Sequence, residues 1–253
     1  MDNESTNESS KETFVSHLVE LRNRLLYCLG AVLIVFIPMA MFANDLYEYF
    51  AAPLMAVLPE GSTMISTEPH GPFFVPFKLA FAAAVAVAVP YILYQVWAFV
   101  APGLYENEKA LVLPIIASST LLFYLGIAFA YYVVFPIIFL FFTSTAPEGV
   151  AVMTDINSYF GFSLKLFFAF GVAFEVPIAT VIMVKTGMTT PDSLATKRPY
   201  IVVGAFVVGM LMTPPDIFSQ TLLALPVWLL FEIGLWFSRR IKPREDLEEA
   251  EEG

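Results

Sequence analysis

A single cysteine, Cys28, and two histidines, His17 and His70, are all that the 253 residues hold of the side chains that most often ligate transition metals. One thiol cannot form an intrachain disulfide. With no Cys-x-x-Cys and no His-Glu-x-x-His spacing, neither a thiol redox site nor a zinc centre is expected. The chain also lacks a G-x-S-x-G nucleophile elbow and a G-x-x-x-x-G-K-[ST] phosphate loop. It is therefore expected not to be an enzyme and to use no cofactor, so any work it does draws on the membrane potential or on a partner. Charge is scarce as well, at 14% of residues, with 13 Lys and Arg against 23 Asp and Glu. No nucleic acid partner is expected from so small and so outnumbered a basic complement.

Apolar residues fill the space that charge leaves. They make up 58% of the chain, with a mean hydropathy of +0.73, far above a soluble domain of this length. The composition is that of an integral membrane protein. The net charge of −10 is concentrated at the ends, four acids lying in Asp2 to Glu12 and six in Glu245 to Glu252. Residues 1–16 and 240–253 are therefore expected to be polar, solvated tails flanking a membrane domain over 17–239. Met1 to Thr13 is acidic where a secretory leader is basic and then apolar, so no cleaved leader is expected.

Six apolar segments stand out: Leu25 to Ala43, Phe73 to Val100, Leu111 to Phe142, Tyr159 to Val184, Tyr200 to Met212 and Ile217 to Phe237. About 20 helical residues are needed to cross about 30 Å of hydrocarbon. The first four segments and the sixth suffice; the fifth, of 13 residues, stops at Pro214-Pro215, where neither residue supplies a helical N–H. Between the first two segments, Leu46, Tyr49, Phe50 and Pro53 recur at helical spacing, which predicts a short interfacial helix over Asp45 to Leu58.

Orientation follows from the basic residues. Lys11, Arg22 and Arg24 precede the first segment, Lys109 lies after the second, Lys185, Lys197 and Arg198 after the fourth, and Arg239, Arg240, Lys242 and Arg244 after the last. The alternate loops, 44–72, 143–158 and 213–216, contain none. Both termini are therefore expected in the cytoplasm. Lys78 and Lys165 break the pattern near the outward ends of their spans, where a lysine can snorkel to the interface.

Against that background one loop has the wrong charge. Between Val96 and Leu113 the cytoplasmic connection holds Glu106 and Glu108 against Lys109, and an acidic loop on the basic side invites a cationic ligand. Just before the first span, His17 to Arg24 places Leu18, Leu21 and Leu25 on one helical face and leaves Glu20, Arg22 and Arg24 on the others. Within the spans, Glu175 lies two residues before Pro177 in the fourth segment. A carboxyl at that depth is protonated, hydrogen-bonded to a neighbour, or facing a water-filled concavity. Gln95 and Gln220 are candidates for polar contacts between helices, and Glu232 is read as an interfacial charge.

Six ordered motifs then give the chain a resemblance to the TatC family, the multi-spanning component of the twin-arginine protein translocase. They are His-Leu-x-Glu-Leu-Arg-x-Arg at 17–24, Tyr-Gln-Val-Trp-Ala-Phe-x-Ala-Pro at 94–102, Leu-Tyr-x-x-Glu at 104–108, Phe-Gly-x-x-Phe-Glu-x-Pro at 170–177, Lys-Arg-Pro-Tyr at 197–200 and Thr-Pro-Pro-Asp at 213–216. The resemblance covers His17 to Arg239. It implies an all-α membrane protein of six helices in a concave, cupped bundle, both termini inside, with short helices 5 and 6. It also implies a receptor for twin-arginine signal peptides that passes folded proteins across the bacterial inner membrane on the proton-motive force.

Carried over by motif, the resemblance makes Glu20 and Glu108 the carboxylates for the arginine pair, with Arg22, Phe99, Leu104 and Tyr105 shaping the site. It makes Glu175 a polar lining of the hollow, and Met210, Thr213 and Gln220 the docking site for the single-span partners TatB and TatA in a multimeric complex. Ala205 and Gly209, four apart, are expected to admit a partner backbone. Glu106 departs from the family pattern, where a basic or neutral residue is common. A different reading of Glu175, as the proton site of a small-molecule carrier, remains open on the residues alone.

Overall fold

Apolar runs of this length cross a bilayer as helices because only a helix satisfies every backbone N–H and C=O within its own segment. The computed structural model describes residues 2–55, 64–100, 109–145, 153–213 and 216–240, leaving out the side chains of 2–14, 53–54, 109–111 and 143. In chain order come α1 (Asp2–Met41), α2 (Ala43–Met55), α3 (Gly71–Val100), α4 (Lys109–Phe129), a π-helical turn (Ala130–Val134), α5 (Phe135–Ser144), α6 (Ile156–Ala173), α7 (Val176–Lys185), α8 (Pro191–Thr196), α9 (Arg198–Met212) and α10 (Ile217–Ser238). Among the described residues the sole strand-like feature is an isolated bridge between Ile65 and Asp155.

Among the described residues five helical runs are long and apolar enough to cross a membrane: Val15–Met41, Gly71–Val100, Val112–Phe142, Ile156–Lys185 and Ile217–Ser238. Arg198–Met212 is the shorter apolar helix that the 13-residue segment predicts. α10, at 22 residues, is long enough to cross but is the shortest of these five runs, in line with the shorter sixth helix implied by the resemblance. Its length follows from an immediate start after Pro215, where Asp216 Oδ1 accepts from the Ser219 N–H at 2.6 Å and caps the first turn. α2 supplies the helix expected over Asp45 to Leu58 as far as Met55, and residues 56–58 lie outside the described residues. The polar N-terminal residues are helical from Asp2 onward rather than an irregular tail, since a formed apolar helix spares them the cost of nucleation.

Two spans are interrupted where proline removes a donor. The π turn stands just ahead of Pro136, in the first turn of α5, and a wider ring absorbs the missing bond. In the fourth span Pro177 offers no N–H to the Ala173 carbonyl. The helix breaks at Phe174 and Glu175, whose own N–H turns back to the Val172 carbonyl at 3.0 Å.

Small residues set the closest approaches. Ala84 and Ala88 of α3 pack with Val32 of α1. A methyl group on Gly126 of α4 would overlap the Phe170 carbonyl oxygen of α6, and one on Gly234 of α10 would overlap Thr180 Oγ1 of α7. Gly209 of α9 faces Gln220 of α10, its built Cβ 3.6 Å from the Gln220 Cα, and Ala205 is buried. Gly209 of the pair expected to admit a partner thus packs within the chain against α10, and Ala205 is covered as well.

Aromatic side chains fill the largest core, Phe135, Tyr159, Phe160, Phe167 and Phe170 lying with Val75 and Leu79. By contrast Ile34 and Ile37 of α1 are 72% and 70% exposed, which suits a face turned to lipid. At the end remote from Glu20, the Ile65 carbonyl accepts from the Ile156 N–H at 2.9 Å, and Asp155 Oδ1 accepts from the Thr67 backbone N–H at 3.0 Å. This clasp ties the α2–α3 connection to the start of α6. The N–H groups of Thr67 and then Ser158 hold the Asp155 carboxyl down at about 2.

Candidate functional site

The segment from His17 to Arg24 forms part of α1, and its polar face, rather than the exposed Leu18, Leu21 and Leu25, lies along the terminal turns of α3. Four residues separate Glu20 from Arg24, so both stand on that face. Arg24 donates from Nε at 2.9 Å and from Nη2 at 2.6 Å to the same oxygen, Glu20 Oε1. Its third nitrogen, Nη1, donates to Gln95 Oε1 of α3 at 2.9 Å, and the Gln95 amide donates to the Tyr91 hydroxyl at 2.9 Å. Phe99 meets the His17 ring edge-on, centroids 6.1 Å apart. The structure thus brings Glu20 and Phe99, two predicted site residues, to one corner between α1 and α3.

Arg22 lies one residue off this face, exposed, with Nη2 donating to Asn23 Oδ1 at 3.2 Å. Leu104, Tyr105, Glu106 and Glu108 lie outside the described residues. The corner nonetheless ends where their loop begins, since α3 runs to Val100. Beneath it, Trp97 donates from Nε1 to Ser119 Oγ of α4 at 2.9 Å, locking the last turns of α3 onto α4.

Glu175 sits at the break between α6 and α7. Both carboxyl oxygens are buried and neither makes a hydrogen bond, and the hydroxyl that acts on them is that of Ser119. The hydrogen-bonded alternative for this acid therefore has Ser119 as its neighbouring hydroxyl. Of the expected docking residues, Met210 is 53% exposed. Thr213 is buried and donates to the Gly209 carbonyl at 2.9 Å, while Gln220 packs its backbone against Gly209. These three do not form one exposed patch. Glu232 pairs with Arg198, accepting from Nε at 2.6 Å and Nη2 at 2.9 Å, so it bolts α9 to α10 and is not merely an interfacial charge.

Arg24 and Tyr91 are the members of the corner that residue reasoning left without a role, whereas Gln95, a candidate for polar contacts between helices, makes one to Arg24. The four-residue spacing of Glu20 and Arg24 signals their pairing, but nothing local announces a contact to Gln95, 71 positions away.

Comparison with known proteins gives the same direction throughout. The family model described as Sec-independent protein translocase protein (TatC) matches residues 16–226. A protein of that name from Haemophilus influenzae is 56% identical over 241 residues, covering 95% of this chain and 94% of the relative. Another from Escherichia coli K12 is 58% identical over 228 residues, covering 90% and 88%. The crystal structure titled as the twin arginine translocase receptor TatC superposes with a TM-score of 0.80 at 38% identity, covering 88% of this chain and 98% of that one. The small-molecule carrier reading of Glu175 gains no support from these likenesses. With the motifs, the helical order and the relatives in agreement, the chain belongs to the TatC family of Sec-independent protein translocase proteins.

Proposed function

We propose that this chain is the signal receptor of a twin-arginine translocase in a bacterial inner membrane, with both termini in the cytoplasm. In this reading Glu20 and Glu108 take the two signal arginines, Phe99, Leu104 and Tyr105 supply apolar walls, and Arg22 borders the site. The observation that carries it is the α1–α3 corner. A carboxylate, an aromatic ring and the root of the acidic loop converge on the end where Lys and Arg accumulate. A guanidinium offers a planar fork that a carboxylate accepts with two bonds, whereas lysine offers a point charge. That difference is the physical basis for selecting Arg-Arg.

In this reading transport of folded cargo draws on the proton-motive force and on the single-span partners TatA and TatB. The exposure of Met210 favours a partner helix there, and the buried Glu175 carboxyl favours a polar group brought by a partner or by the signal. The test is binding of the purified protein to a twin-arginine signal peptide and to its Lys-Lys variant. Hydrogen bonds to charged groups contribute about 1.5 to 3 kcal/mol, so Glu108→Gln is expected to weaken Arg-Arg binding roughly tenfold to a hundredfold. Equal binding of both peptides, unchanged by Glu108→Gln, would reduce the acidic loop to a connector.

A further inference from the structure

We propose that Arg24 is a resident competitor at the signal site: it occupies Glu20 when no signal is bound and must yield that carboxylate to an incoming arginine. The inference rests on the reading of Glu20 as a signal ligand.

An i,i+4 pair of glutamate and arginine forms weakly on any exposed helix, and by itself carries no meaning. Here the arginine is held from a second side. Gln95, 7% exposed, presents Oε1 to Nη1 and is itself oriented by Tyr91. The guanidinium is thereby fixed with Nε and Nη2 converging on Glu20 Oε1. Among the described residues no donor reaches Oε2.

This is the same donor fork that a signal arginine offers. Glu20 is not an idle carboxylate waiting for a cation. An arriving arginine replaces one fork with another, and the displaced Arg24 keeps its bond to Gln95. A weakly held basic segment has no such compensation, so the resident pair raises the threshold that every ligand must pass. Because the competitor is removed before either ligand is seated, it lowers the affinity of Arg-Arg and Lys-Lys peptides by the same factor. It sets occupancy, and the forks of the ligand set the preference.

The measurement is the affinity of the purified full chain for a synthetic twin-arginine signal peptide and for its Lys-Lys variant. Arg24→Gln is expected to tighten both by about fivefold, with their ratio unchanged. Gln95→Leu keeps the positive charge but frees the guanidinium, and is expected to tighten both by a smaller factor. In a Glu20→Gln background, Arg24→Gln is expected to add nothing, because the two act on one contact. Weaker binding in Arg24→Gln would make Arg24 a positioning residue and overturn the proposal. A gain that persists in the Glu20→Gln background, with none in Gln95→Leu, would reduce Arg24 to general repulsion and overturn it as well. If Glu20→Gln alone leaves Arg-Arg binding unchanged, the assignment of Glu20 as a ligand fails first and the competitor with it. A Glu20→Gln loss without an Arg24→Gln gain sinks the competitor alone.

Discussion

Two acidic side chains, Glu20 and Glu175, occupy opposite electrostatic situations in one bundle. Glu20 stands midway along α1, against the last turns of α3, with its side chain 41% exposed and its Oε1 engaged by Arg24. Glu175 lies at the α6–α7 break with both oxygens buried and no hydrogen bond. An exposed pair is worth little and exchanges readily, whereas a buried carboxyl without a partner costs about 1 to 3 kcal/mol. The first is suited to recognition by exchange. The second is a standing cost that a functional partner could offset.

The most drastic way to break the comparison is to remove the support around the Glu175 break. Gly234→Val would drive a side chain into Thr180 Oγ1 and set its Cβ 2.8 Å from the Pro177 Cα, backbone that cannot step aside. A loss of about 3 kcal/mol is expected, read as a lower thermal transition of the purified protein. Glu175→Leu sharpens the contrast in the other direction. It is expected to raise stability by about 1 to 3 kcal/mol while abolishing export of a folded twin-arginine substrate. Retained export in that variant would make the acid structural.

Glu20→Gln is expected to shift stability by less than about 1 kcal/mol, yet to cost tenfold or more in signal-peptide affinity. A large change in thermal transition would mean the pair is structural rather than exchangeable. The smallest expected effect concerns Asp155, whose carboxyl is held near 2 by the Thr67 and Ser158 N–H groups. A depressed folded-state pKa means that its contribution is fully present above the ordinary value of about 4. That contribution is lost as pH falls through about 2. Protection of the Thr67 amide, relative to its intrinsic exchange rate, should therefore be flat from pH 5 upward and fall below pH about 4. Asp155→Asn should remove that additional dependence.

Much of the bundle was legible before any coordinates. Length and hydropathy located the spans because a hydrocarbon slab imposes a minimum helix length, and Pro214-Pro215 explained the short fifth helix. The break at Glu175 was half legible: Pro177 announced a lost donor, but not that both carboxyl oxygens would be enclosed without a bond. The Ala205/Gly209 stripe was half legible as well, since small residues four apart signal close approach without saying to what, and Gly209 meets Gln220. Glu232 likewise gave its charge away but not its partner, Arg198.

What the sequence determined by itself is therefore what short-range physics controls: which residues are helical, where proline interrupts them, and which side chains are charged. The motifs added membership in a family, because their order and spacing are shared along the chain. Tertiary structure alone decided the pairings across the sequence, such as Arg24 with Gln95, Trp97 with Ser119, and Gly234 against Thr180. Those contacts depend on the rotation and axial register of one helix against another, which are set by many packing contacts acting together. No local pattern encodes that sum.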